Sequence, residues 1–154
     1  MVANNLKIKD FGPALRVALT FSSSSAGGVF DVVEILGKEY PVETTTNFVL
    51  NNRYMINEIP SNVFQLVNLE NLNLSFNILT TIPTEIKNLT KLKKINLCTN
   101  KFKEFPSELL EMSNLEDINI NVNKLSEIPE ELKNLNNLKV FCCGDNKLEK
   151  IPKV

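Results

Sequence analysis

Four segments of this chain repeat one pattern in constant phase. LENLNLSFNIL, LKKINLCTNKF, LEDININVNKL and LKVFCCGDNKL begin at Leu69, Leu92, Leu115 and Leu138, each 23 residues after the one before. Each is followed by an apolar residue and proline: Ile82-Pro83, Phe105-Pro106, Ile128-Pro129 and Ile151-Pro152. A chain that repeats itself without a slip sets each copy in the same environment, as a stack of coils that bury together what none can bury alone. The alternation around Leu72 and Leu74, Ile95 and Leu97, Ile118 and Ile120, and Phe141 and Cys143 is that of a short strand, with these residues pointing inward. Stacked in phase, such strands form a parallel sheet. Asn77, Asn100, Asn123 and Asn146 fall where the chain leaves each strand, where a buried amide satisfies backbone groups of neighbouring coils. Proline then ends extended pairing, and the spacing of Ile86 and Leu89, or of Leu132 and Leu135, predicts a helical or 3₁₀ turn with an apolar inner side.

The shared pattern LxxLxLxxNxLxxIPxEL resembles the leucine-rich repeat family, in particular the intracellular Ras-suppressor type of repeat, over about residues 56–154. The resemblance implies an α/β fold. It would be a leucine-rich repeat solenoid, a short curved horseshoe with a parallel β-sheet on its concave face and helical or 3₁₀ turns on its convex face. A degenerate first repeat is read at Phe48, Leu50, Ile56 and Ile59-Pro60, so the repeats are assigned to residues 48–154, about four and a half coils with no C-terminal cap.

Residues 1–47 do not carry the pattern. LKIKDF from Leu6, Gly12-Pro13 and ALRVALTF from Ala14 read as a β-hairpin, and SSSSAGG from Ser22 as a flexible loop. Val29, Val32, Val33, Leu36 and Tyr40 have the spacing of one helix face. The order ββα fits either a non-repeat cap over the first coil or the first half of a ubiquitin-like fold of the Ras-association type.

Composition narrows the function. Histidine is absent, which removes the commonest general base and the commonest metal ligand. No Gly-rich phosphate loop, serine elbow or paired-cysteine zinc spacing occurs, so catalysis, cofactor and metal are not expected. Lys and Arg number 17 against 18 Asp and Glu, a balance that gives no reason to expect nucleic acid or an anionic membrane as partner. No apolar run suits a signal peptide or membrane insertion. Cys98, Cys142 and Cys143 lack the pairing of a disulfide framework, and a reducing, cytoplasmic setting fits them. The sequons Asn73-Leu74-Ser75 and Asn88-Leu89-Thr90 are read as chance products of an Asn-rich chain.

What remains is the concave surface. The outward strand positions are Asn71, Asn73 and Ser75; Lys94, Asn96 and Cys98; Asp117, Asn119 and Asn121; Val140, Cys142 and Gly144. Phe76, Thr99, Val122 and Asp145 flank them. This polar, nearly neutral face suits hydrogen-bonded contact with a protein partner. A column of alternating sign, Glu70, Lys93, Glu116 and Lys139, is expected to trim the surface electrostatically. The resemblance implies an adaptor or scaffold in signalling by a small GTPase or phosphatase. Two other readings stay open: the regulatory piece of a larger enzyme, such as a PP2C-type phosphatase or an adenylate cyclase, and a fragment of a recognition or adhesion receptor. The last coil is expected to leave Leu138, Phe141, Cys143 and Leu148 uncovered, which suggests a longer protein or an end-to-end homodimer.

Overall fold

The structure, a computed structural model, describes residues 32–35, 38–42, 44–50 and 55–150. Two strands, β1 (Val32–Ile35) and β2 (Lys38–Pro41), form an antiparallel pair. Five more, β3 (Asn47–Val49), β4 (Asn71–Asn73), β5 (Lys94–Asn96), β6 (Asp117–Asn119) and β7 (Val140–Cys142), form a parallel sheet in chain order. Leu72 pairs with Ile95, Ile95 with Ile118 and Ile118 with Phe141, one 23-residue step each. Phe48 pairs with Leu72, so the first coil is one residue longer, as its degenerate spacing predicts.

Opposite the sheet run 3₁₀ turns at Ser61–Gln65, Thr84–Asn88, Ser107–Glu111 and Glu130–Asn134, each entered from proline. Proline suits that entry, because it brings no backbone N–H to a position that could not use one. Each turn closes with the cap residue donating its N–H three residues back, as Leu89 does to the Ile86 carbonyl. Leu72, Leu74, Ile95, Leu97, Ile118 and Ile120 from the strands meet Ile86, Leu89 and Leu109 from the turns in one core.

The buried asparagines fasten coil to coil. Asn100 donates through Nδ2 to the Leu97 carbonyl of its own coil and the Leu74 carbonyl of the previous one, both at 3.0 Å, and accepts the Leu79 N–H at 3.0 Å. Asn77 and Asn123 repeat the arrangement, and Asn146 does so half-buried. A side chain that serves three separate backbone groups holds the strand exit in one geometry.

One expectation is overturned. Residues predicted as a helix from Val29 to Tyr40 contain the β1–β2 hairpin, with Ile35 opposite Lys38. Val32, Val33 and Ile35 are β-branched, which costs rotamer freedom in a helix and suits a pleated strand, and a helix there would hold Gly37 inside it. A short apolar run satisfies the 3.6 and the 2.0 period alike, so spacing could not separate the two. The helix that a ubiquitin-like order requires is thus absent from the described residues, and the hairpin from Leu6 and the loop from Ser22 lie outside them. Tyr40 stacks edge-on against Phe48 with ring centroids 5.1 Å apart, and Val42 is buried, so the segment packs on the first coil. At the other end Leu138, Phe141, Cys143 and Leu148 are half-buried, with Phe141 against Phe105 at 6.2 Å between centroids.

Candidate binding face

Pairing in register turns equivalent positions into columns across the sheet. The first column runs Asn47, Asn71, Lys94, Asp117, Val140, and the second Val49, Asn73, Asn96, Asn119, Cys142. Both lie on the side away from the core. A shallow hollow of about 250 Å³ lies over β3 to β6, lined by Asn71, Asn73, Lys94, Asn96, Asp117 and Asn119 together with Asn47 and Val49.

The two columns differ in what they leave free. In the second, each asparagine folds its Oδ1 back onto the backbone two residues on: Asn73 accepts the Ser75 N–H at 3.0 Å, Asn96 the Cys98 N–H at 3.0 Å, and Asn119 the Asn121 N–H at 3.1 Å. Such turns are the ordinary local use of asparagine. They leave the Nδ2 groups of Asn73, Asn96 and Asn119 as donors on the face. In the first column Asn71 donates to Asn47 Oδ1 at 2.7 Å. Lys94 and Asp117, paired in register, enter no salt bridge among the described residues. A cation and an anion thus stand side by side on the sheet, each open to an outside charge.

Ser75 departs from expectation. It is 3% exposed, and its Oγ donates to Asn73 Oδ1 at 2.7 Å. The turn draws its side chain off the face, so Ser75 offers no surface to a partner. Cys98 and Cys142, expected to be exposed, are half-buried, and the Cys98 Sγ lies 3.4 Å from Thr99 Oγ1. Cys143 is half-buried on the core side, and its burial, with the neighbouring Cys142 adding to it, pushes its thiol above the usual range.

The flanking row has its own geometry. Phe76, Thr99, Val122 and Asp145 all have left-handed backbone, with φ of 58°, 57°, 55° and 51°. For a β-branched residue such as Val122 or Thr99 this is a strained conformation. Phe76 and Val122 are 49% and 42% exposed, and Val140 is 44% exposed, so apolar side chains border the polar columns. Val49, 57% exposed, adds a fourth. Val49 and Asn47 escaped the sequence reading, because the first repeat is degenerate and its concave positions were not carried over; the pairing of Phe48 with Leu72 is the signal that could have found them.

Beside the face, neighbouring charges of the alternating column meet. Lys93 meets Glu70 at 3.0 Å and Lys139 meets Glu116 at 2.7 Å, two of the contacts the alternating column predicts. The Lys139 hydrogen bond, and then its charge, hold the Glu116 carboxyl below the usual carboxylate range. On the convex side Lys87 meets Glu111 at 2.8 Å. Among the described residues no group of three His, Cys, Asp or Glu could hold a metal ion, and no helix is long and apolar enough to cross a membrane.

Comparison with known proteins agrees with this architecture. A family model described as Leucine Rich Repeat matches residues 68–89, and one described as Anticodon binding domain matches residues 1–43. Residues 1–43 carry four basic and five acidic side chains, so they hold no cationic excess for a phosphate backbone. Among solved structures, a leucine-rich repeat protein of Leptospira interrogans is similar at 38% identity and a TM-score of 0.65, covering 73% of this chain and 28% of its own. An internalin from Listeria monocytogenes is similar at 28% identity and a TM-score of 0.58, covering 68% of this chain and 29% of its own. The chain therefore spans under a third of the length of either structure. No curated protein matches by sequence. The repeated coils, their parallel sheet and these likenesses define the chain as a leucine-rich repeat protein. Such proteins generally mediate protein–protein interaction, and as a class they are binding modules rather than enzymes.

Proposed function

We propose that this chain binds a protein partner through its concave face and acts as an adaptor in cytoplasmic signalling linked to a small GTPase or phosphatase. One observation carries the location: among the described residues Lys94 and Asp117 are adjacent on that face without a salt bridge, while Glu70, Lys93, Glu116 and Lys139 nearby are all paired. Charges left open on a rigid sheet cost little while solvated and recognise a complementary surface strongly once water is excluded. The apolar border of Phe76, Val122 and Val140 supplies contact area around a polar centre. The signalling context rests on the resemblance of the repeat to the Ras-suppressor type. A non-catalytic regulatory piece of a larger signalling enzyme uses the same face in the same way.

The test is quantitative affinity purification with the wild type, with K94E/D117K, and with K87E/K133E on the convex side. Partners bound by the wild type and by the convex variant, and lost from the concave variant at unchanged melting point, are the expected result. Equal loss from both variants overturns the location.

A further inference from the structure

Resting on the concave-face reading, we infer that the segment this face receives is an α-helix lying across the strands, with an acidic side chain over Lys94, a basic one over Asp117 and an apolar one over Val140. The first column sets the order. Asn71, Lys94, Asp117 and Val140 follow one another coil by coil in strict register: polar, positive, negative, apolar. A partner complementary to it must present polar, acidic, basic and apolar groups in the same order and at the same pitch.

The pitch selects the backbone. Neighbouring strands lie about 4.8 Å apart, so the three steps from Asn71 to Val140 span roughly 14 Å. Side chains on one helix face recur every three or four residues, at about 4.5–6 Å, and ten or eleven residues cover about 15–16.5 Å. An extended peptide presents same-face side chains about 6.6 Å apart and covers about 20 Å over the same four contacts, more than one coil out of step by the end. A helix keeps step with the column, whereas a strand does not.

The rest of the face suits a helix too. An extended peptide with its side chains on the sheet holds its backbone N–H and C=O groups out sideways, where they have no partner. The free groups in the second column are the Nδ2 donors of Asn73, Asn96 and Asn119, whose Oδ1 atoms are already used by the turns. That row of donors is of no use to the N–H groups of an extended backbone. It does serve the side-chain oxygens of a helix whose backbone is satisfied internally.

Selection from two display libraries on the purified chain tests this. One library is a helical scaffold randomised on one face, and the other is linear peptides. The expected outcome is enrichment of helices carrying, in either chain direction, Asp or Glu, then Lys or Arg three or four residues away, then an apolar residue after a like interval beyond the basic one. Those helices should lose binding to K94E/D117K, and to the milder K94Q/D117N, on the order of tenfold or more. Selection on K94E/D117K should return the acid and base in reversed order. Linear binders, or helices without that order, that are still lost on changing Lys94 and Asp117 would overturn the helix and leave the concave reading standing. Binders indifferent to Lys94 and Asp117, or no enrichment from either library, would overturn both.

Discussion

Asn121 Oδ1 accepts the backbone N–H of Gly144 at 2.6 Å, a bond between coils where the other coils use one within a single coil. In those coils the second-column asparagine caps the residue two positions on. The last coil has Cys142 there, whose thiol is a poor acceptor, and Asn121 of the preceding coil takes over. Asn121→Ala should therefore loosen the last coil alone, by about 0.5–1.5 kcal/mol. Amide exchange reads it directly: Gly144 should lose protection while Ser75 and Cys98 keep theirs. Unchanged exchange at Gly144 would show that the bond contributes nothing.

Asn100→Ala should be more costly. The substitution strands the Leu79 N–H in the core, whereas the Leu74 and Leu97 carbonyls each lose one donor and keep Asn77 and Asn123. One buried unsatisfied group costs about 1–3 kcal/mol, and a loss within that range is expected. Denaturant unfolding measures it, and a midpoint equal to wild type would refute the role.

Val122→Asn should stabilise the protein. Val122 holds φ of 55° with a β-branched side chain, and asparagine tolerates that region. A left-handed non-glycine residue costs roughly 1–2 kcal/mol, and a gain of about 1 kcal/mol in unfolding free energy is expected. If the midpoint falls instead, packing of the valine outweighs its strain.

The Glu116 carboxyl titrates below the ordinary carboxylate range because Lys139 binds it. Its folded pKa is depressed, so its contribution to stability is present above the unfolded pKa and is lost as pH falls through the folded one. Replacing Lys139 with Gln should move the Glu116 titration, followed by carbon NMR of the side chain, back up toward the ordinary value. A midpoint that stays low in K139Q would assign the shift to Lys93 and Lys94 instead.

The sequence alone determined the features that recur every 23 residues: which residues of each strand face the core, where asparagine is buried, where proline opens the 3₁₀ turn, and the parallel order of the sheet. Each follows from local periodicity, and repetition in phase carries local periodicity into three dimensions without ambiguity. The tertiary structure decided the rest. It made a hairpin of Val32–Ile35 and Lys38–Pro41, because a short β-branched run is compatible with two periods and packing against the first coil chooses between them. It took Ser75 off the concave face through a bond to Asn73, and it left Lys94 and Asp117 open although they are neighbours. Strand alternation says only which side a residue points to. Whether its polar atoms are then consumed by an adjacent backbone or left for a partner depends on the geometry of the coil on either side.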